Sequence, residues 1–137
     1  MAQEALGIDI EVRDFEDFGA YLNALDRNEF ALFSLAWIAD YPDPENFLDL
    51  LFRSGSGENH MLYTSPEVDA LLDQAAVSGD EAERFQLYQQ AEQLIIADAP
   101  VIPLYHDVEH TLVKPYVQGL TITPMGIIDL ASVELTP

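Results

Sequence analysis

Apolar and polar residues alternate over IDIEVR, residues 8–13, with Ile8, Ile10 and Val12 on one face. A period of two predicts a strand. The spacing then widens. Phe15, Phe18, Leu22 and Leu25 recur at helical intervals and predict a helix of about a dozen residues. FALFSLAW, residues 30–37, is apolar on both faces apart from Ser34, the pattern of a strand covered on both sides and usually parallel to its neighbours. Strand, helix and strand in this order predict a right-handed βαβ unit.

The middle of the chain is helical in pattern. PENFLDLLF offers Phe47, Leu48, Leu51 and Phe52 as one face. SPEVDALLDQAA opens with Ser65 as N-cap, Pro66 in the first turn and Glu67 near the positive helix end. Its stripe is Val68, Leu71, Leu72, Ala75 and Ala76. A third helix starts where Asp80 and Glu83 match capping-box spacing. It continues through Phe85, Leu87, Tyr88, Ala91, Leu94 and Ile95 to Pro100. SGSG at 54–57 reads as a loop between helices.

After Pro100, VIPLYHDVEHTLV is β-branched and flanked by prolines, which predicts an extended strand with a break at Pro103. The last twenty residues are short strand-like pieces separated by turn signals, with no obvious partner in the chain.

Length and charge narrow the picture. The 137 residues suit one compact domain with its own core. No run approaches the ~20 apolar residues of a membrane span. The opening MAQEALGIDI has no basic segment followed by an apolar core, so it does not read as a secretory signal; a mature or excised chain would look the same. Four arginines and Lys114 face 25 acids, for a net charge of −20. That field disfavours nucleic acid and anionic membranes and favours cationic ligands. A saline or acidic habitat would also tolerate it. The absence of cysteine removes disulfides and thiolate metal sites.

Two motifs carry candidate chemistry. HDVEH, residues 106–110, matches the H-x-x-E-H pattern of some zinc peptidases. That chemistry needs both histidines on one helical turn. In a strand, His106 and His110 would lie roughly 13 Å apart at ~3.3 Å per residue, too far for one zinc. The strand reading is preferred, with no metal and no cofactor, and leaves His106 as a pocket side chain. The second motif is WIADYPDPENFL, residues 37–48. Asp43 between two prolines suits a tight bend and Glu45 suits the first turn of a helix. Asp40 differs, since it follows Trp37 at the carboxyl end of the predicted parallel strand, the edge where open α/β sheets bind ligands. A carboxylate beside an aromatic ring there can seat a cation.

WIADYPDPENFL, YTSPEVDALLDQA, RFQLYQQAEQLIIADAPVIPLYH and LVKPYVQGL, in this order and spacing, resemble the C-terminal part of family 5 extracellular solute-binding proteins. These are the oligopeptide- and dipeptide-binding receptors of ABC importers. The resemblance runs from about residue 6 to the end. It implies an α/β fold: the C-terminal lobe of a two-lobed, periplasmic-binding-protein-like (cluster C) receptor several times longer than this chain. Residues 1–112 would be most of the second large lobe. Residues 113–137 would be a hinge strand and tail that pack on the other lobe.

The resemblance also implies a function: a non-enzymatic receptor outside the cell membrane or in the periplasm, capturing peptides for a membrane permease. The Asp40 carboxylate would take the peptide's α-amino group. Trp37 and the backbone of Ile38 would line the cleft. The strand around Tyr105 to Asp107, with His106 and Asp107 as site residues, would approach the same cleft, with Asp107 where peptide binders can carry a tyrosine. Family members also take nickel chelates, sugars, opine-like and other solutes. Two other readings stand beside it, a zinc hydrolase using HDVEH and an acidic interaction module complete as it stands. An exposed edge strand would also permit self-association.

Overall fold

The computed structural model describes residues 4–5, 7–123 and 125–136. These divide into two compact units, Met1–Ser34 and Leu35–Pro137.

In the first unit, helix α1 (Phe18–Asp26) starts at Asp17, whose side chain accepts from the Ala20 N–H at 2.7 Å. It buries Ala24 and Leu25. Phe15, Tyr21 and Phe30 form an aromatic cluster with ring centroids 5.4–6.1 Å apart, and the Arg13 guanidinium lies 4.8 Å from the Phe15 ring. Arg13 and Arg27 both pair with Glu29 at 2.7 Å.

The helical centre of the second unit follows the sequence pattern closely. Helices α2 (Glu45–Phe52), α3 (Pro66–Val77) and α4 (Glu81–Asp98) pack on one another, with the α3–α4 pair forming most of the core. Val68, Leu72 and Ala75, at i, i+4 and i+7, face Tyr88, Ala91 and Ile95, at i, i+3 and i+7. All six are buried, and Leu48 and Phe52 of α2 pack against them. Such spacing keeps each set on one helical face. Ser65 caps α3 through Val68 N–H, with Pro66 in the first turn. Asp80 caps α4 by accepting from Glu83 N–H at 3.0 Å. The other half of that capping box differs from expectation: the Glu83 carboxylate receives Ser78 Oγ at 2.7 Å, and the Asp80 N–H goes to the same Ser78 hydroxyl. The SGSG loop is organised by Asn59, a buried amide that donates to the Arg53 and Tyr63 carbonyls and accepts from Tyr63 N–H.

The predicted βαβ unit does not form among the described residues. Residues 8–13 and 30–37 carry no strand pairing. FALFSLAW is not covered on both faces either. From residue 33 to 39 the odd positions are half-buried and the even ones exposed, and Leu32 is 71% exposed. The physical reason is that a strand is completed by its neighbour: an extended segment without one forms no ladder. The same holds for VIPLYHDVEHTLV. Residues 101–113 carry no strand pairing, and residues 102–116 are exposed throughout, with Leu112 at 97%.

The tail departs in the opposite sense, because its strands find partners in each other. Strand β1 (Val117–Gln118) pairs antiparallel with β4 (Glu134–Leu135), and β2 (Thr121–Ile122) pairs inside them with β3 (Ile128–Asp129). Between the two ladders, Gly119 and Leu120 oppose residues 130–133, so the register shifts. Gly119 makes this possible. Its φ is +73°, and a Cβ there would sit 2.1 Å from the Ser132 carbonyl oxygen, while Ser132 Oγ donates to the Gly119 carbonyl at 2.9 Å. A Gly119→Ala substitution is therefore expected to separate β1 from β4, since the left-handed conformation alone costs about 1–2 kcal/mol before the overlap is relieved. The expected signature in hydrogen exchange is lost protection at the Thr136 amide, which donates to the Tyr116 carbonyl. Helical circular dichroism should stay unchanged.

Candidate functional site

The loop between the extended segment and α2 is braced at three points. The first is Asn46, fully buried in the first turn of α2. Its Oδ1 accepts from the Trp37 indole Nε1–H and from the Asp40 backbone N–H, both at 3.0 Å. The second is a hydrogen bond from the Tyr41 hydroxyl to the Glu45 carboxylate. The third is Asp43, whose Oδ1 accepts from Glu45 N–H at 2.9 Å and whose two oxygens take the Arg84 guanidinium at 2.6 and 2.7 Å. Arg84 in turn stacks 4.8 Å from the Tyr88 ring, joining the loop to the core. Bidentate geometry of this kind fixes orientation as well as distance.

These braces sort the three acids of the motif. Asp43 and Glu45 are held by donors within the chain and shape the loop, as turn and helix-start statistics predict. No donor among the described residues reaches the Asp40 carboxylate, and the residue is exposed. All four arginines are already ion-paired: Arg13 and Arg27 with Glu29, Arg53 with Asp49 and Asp73, and Arg84 with Asp43. Asp40 is thus an open acceptor in a strongly negative field.

The Arg84 guanidinium holds the Asp43 carboxyl below its ordinary value of 3.8, against an opposing contribution from partial burial and with help from the Glu45 N–H. A carboxylate lowered in the folded state stabilises fully above its unfolded value and loses that stabilisation as pH falls through the folded one. Urea midpoints measured between neutral pH and pH 3 should therefore fall on the acid side. Arg84→Met should abolish the part due to Asp43, about 1 kcal/mol. Parallel acid profiles for the two proteins would contradict this.

The remaining predicted site residues are more dispersed. Trp37 is half-buried, and Ile38, 83% exposed, lies on the same open side as Asp40 in the 33–39 alternation. His106 and Asp107 lie on the exposed 102–116 segment. Asp107 Oδ1 accepts from the next residue's N–H at 2.9 Å, and no hydrogen bond joins either residue to 37–40. A concavity of about 320 Å³ between α3 and α4, lined by Glu67, Leu71, Gln74, Gln90 and Leu94 among others, contains none of the five. HDVEH is not helical, so the one-turn spacing of a zinc peptidase is not met.

Periodicity does not find Asn46, because it lies off the Phe47, Leu48, Leu51 and Phe52 stripe. The available signal was an amide placed shortly after a tryptophan whose N–H needs a partner. Arg84 was visible only as one of few cations in an acidic chain.

No family model matches the sequence. Curated and solved proteins do. The dipeptide-binding protein DppE of Bacillus subtilis is 34% identical over 128 residues, which are 93% of this chain and 23% of that protein. YgiS of Escherichia coli, named a probable deoxycholate-binding periplasmic protein, is 39% identical over 117 residues, 85% of this chain and 22% of that protein. Other matches are named oligopeptide-, murein peptide- and di/tripeptide-binding proteins. In structure, HbpA2 of Haemophilus parasuis superposes with a TM-score of 0.87 at 28% identity, over 98% of this chain and 27% of that one. By sequence and fold, the chain is similar to the family 5 solute-binding proteins. It spans about a quarter or less of the length of the relatives it matches. The described residues form a mixed helix and strand fragment that fits an α/β lobe, and these relatives are named as binding proteins.

Proposed function

We propose that this chain is the C-terminal part of the substrate-binding component of an ABC importer, taking up peptides outside the membrane or in the periplasm for delivery to a permease. Residues 1–112 belong to the binding lobe, and residues 113–137 form the hinge strand and tail. The chain is a binding module and not an enzyme. Asp40 is the counter-ion of the peptide's α-amino group, Trp37 and the Ile38 backbone line the cleft, and His106 and Asp107 approach from the exposed segment. One observation carries this reading. In a loop where every other acid is paired internally, Asp40 is fixed through its backbone and has no side-chain donor among the described residues, in a chain similar to proteins named for binding peptides.

A second reading follows from the name of YgiS, a steroid carboxylate as ligand. Charge separates the two, since an unpaired aspartate attracts an ammonium group and repels a carboxylate. Calorimetric titration of the intact polypeptide that carries this sequence is the test, using Ala-Ala-Ala, its N-acetylated form and deoxycholate. The peptide reading expects the free-amine peptide to bind more tightly than its acetylated form, and deoxycholate not to bind. Equal affinity for the acetylated form rejects the amine clamp, and binding of deoxycholate alone favours the second reading.

A further inference from the structure

We infer that Asn46 is a positioning residue for the ligand's counter-ion: its single carboxamide oxygen sets the Trp37 ring and the Asp40 backbone at once, and so the direction in which the Asp40 carboxylate leaves the loop. The inference rests on the amine-clamp reading above and adds the group that makes the clamp directional.

The geometry is specific. Asn46 is fully buried and Oδ1 accepts two hydrogen bonds of 3.0 Å, from an indole nitrogen nine residues back and a backbone nitrogen six residues back. Its Nδ2 is buried with no hydrogen-bond partner among the described residues. The useful half of the side chain is therefore the acceptor, which makes a sharp test available. Aspartate keeps an acceptor at Oδ1, whereas leucine of similar volume keeps none. The Tyr41 hydroxyl also lies against the Asn46 side chain, but the loop's other braces hold other acids. Tyr41 and Arg84 hold Glu45 and Asp43, while Asn46 alone among them touches Trp37 and Asp40. An acceptor serving both sides of the Trp-x-x-Asp turn holds its backbone, while Asp40 itself stays exposed and its carboxylate accepts no hydrogen bond among the described residues.

Two measurements test this. In the 137-residue chain, Trp37 is the only tryptophan, so it gives one indole N–H resonance. Asn46→Leu should shift that resonance and speed hydrogen exchange at both the indole and the Asp40 amide, and Asn46→Asp should keep both protected. In the intact polypeptide, the readout is the ratio of affinities for Ala-Ala-Ala and N-acetyl-Ala-Ala-Ala. Partners that orient a ligating side chain are worth about 10–100-fold in affinity at metal centres. On that scale Asn46→Leu should lower the ratio about tenfold, with Asn46→Asp restoring most of it. In an Asp40→Asn background, Asn46→Leu should leave the ratio unchanged, because coupled groups are not additive.

A merely structural role would weaken both peptides in proportion and leave the ratio intact. That result, or an unmoved indole resonance, overturns the inference. A wild-type protein with no preference for the free amine overturns the clamp itself and the inference with it, before any variant is compared.

Discussion

Asp40→Asn in the intact polypeptide is expected to weaken binding of Ala-Ala-Ala by about two orders of magnitude or more and to leave the fold untouched. The substitution keeps size and shape and removes only the charge. Losing one partner of a buried, hydrogen-bonded ion pair costs about 3–5 kcal/mol, which corresponds to roughly 100-fold or more in affinity. Nothing in the chain loses a hydrogen bond, because the Asp40 carboxylate accepts none among the described residues and its backbone N–H remains on Asn46. Thermal unfolding should therefore be unchanged within ~0.5 kcal/mol, as for other exposed sites. The N-acetylated peptide should bind the two proteins equally. A variant with wild-type affinity for the free-amine peptide would remove Asp40 from the site.

The largest expected effect on stability comes from the opposite end of the physics. Leu72 is fully buried at the centre of the α3–α4 contact. Truncation to Ala removes transfer free energy and leaves a cavity, at about 2–5 kcal/mol. Against a total of ~5–15 kcal/mol for an ordinary domain, that is enough to bring the urea midpoint of the 137-residue chain down sharply, with the slope unchanged. Leu71→Ala, one position round the helix and only half-buried, should cost clearly less. Equal losses at 71 and 72 would mean that the packed face is not the one described.

These two substitutions also mark what could be read from sequence. The α3 and α4 stripes were legible because both helices bury their apolar faces against sequence neighbours, across a connection of three residues from Ser78 to Asp80. Ser65, Pro66 and Asp80 were legible for the same reason: a cap acts within one turn. The strands were not. Residues 8–13, 30–37 and 101–113 have strand composition, but composition supplies no neighbour, and among the described residues none has a strand partner. The tail shows the converse. Its pairing depends on an αL glycine and a close approach to Ser132 that hydrophobic patterning does not encode.

The amino-acid order by itself determined the helical core, its caps, the family resemblance and the singling out of Asp40 within WIADYPDPENFL, since all of these rest on local spacing. Only the tertiary structure decided which acids are free. Arg84 reaches Asp43 from 41 positions away, and Asn46 turns an off-stripe amide into the shared acceptor of Trp37 and Asp40. Charge pairing and buried polar contacts depend on distance in space, which periodicity along the chain does not carry.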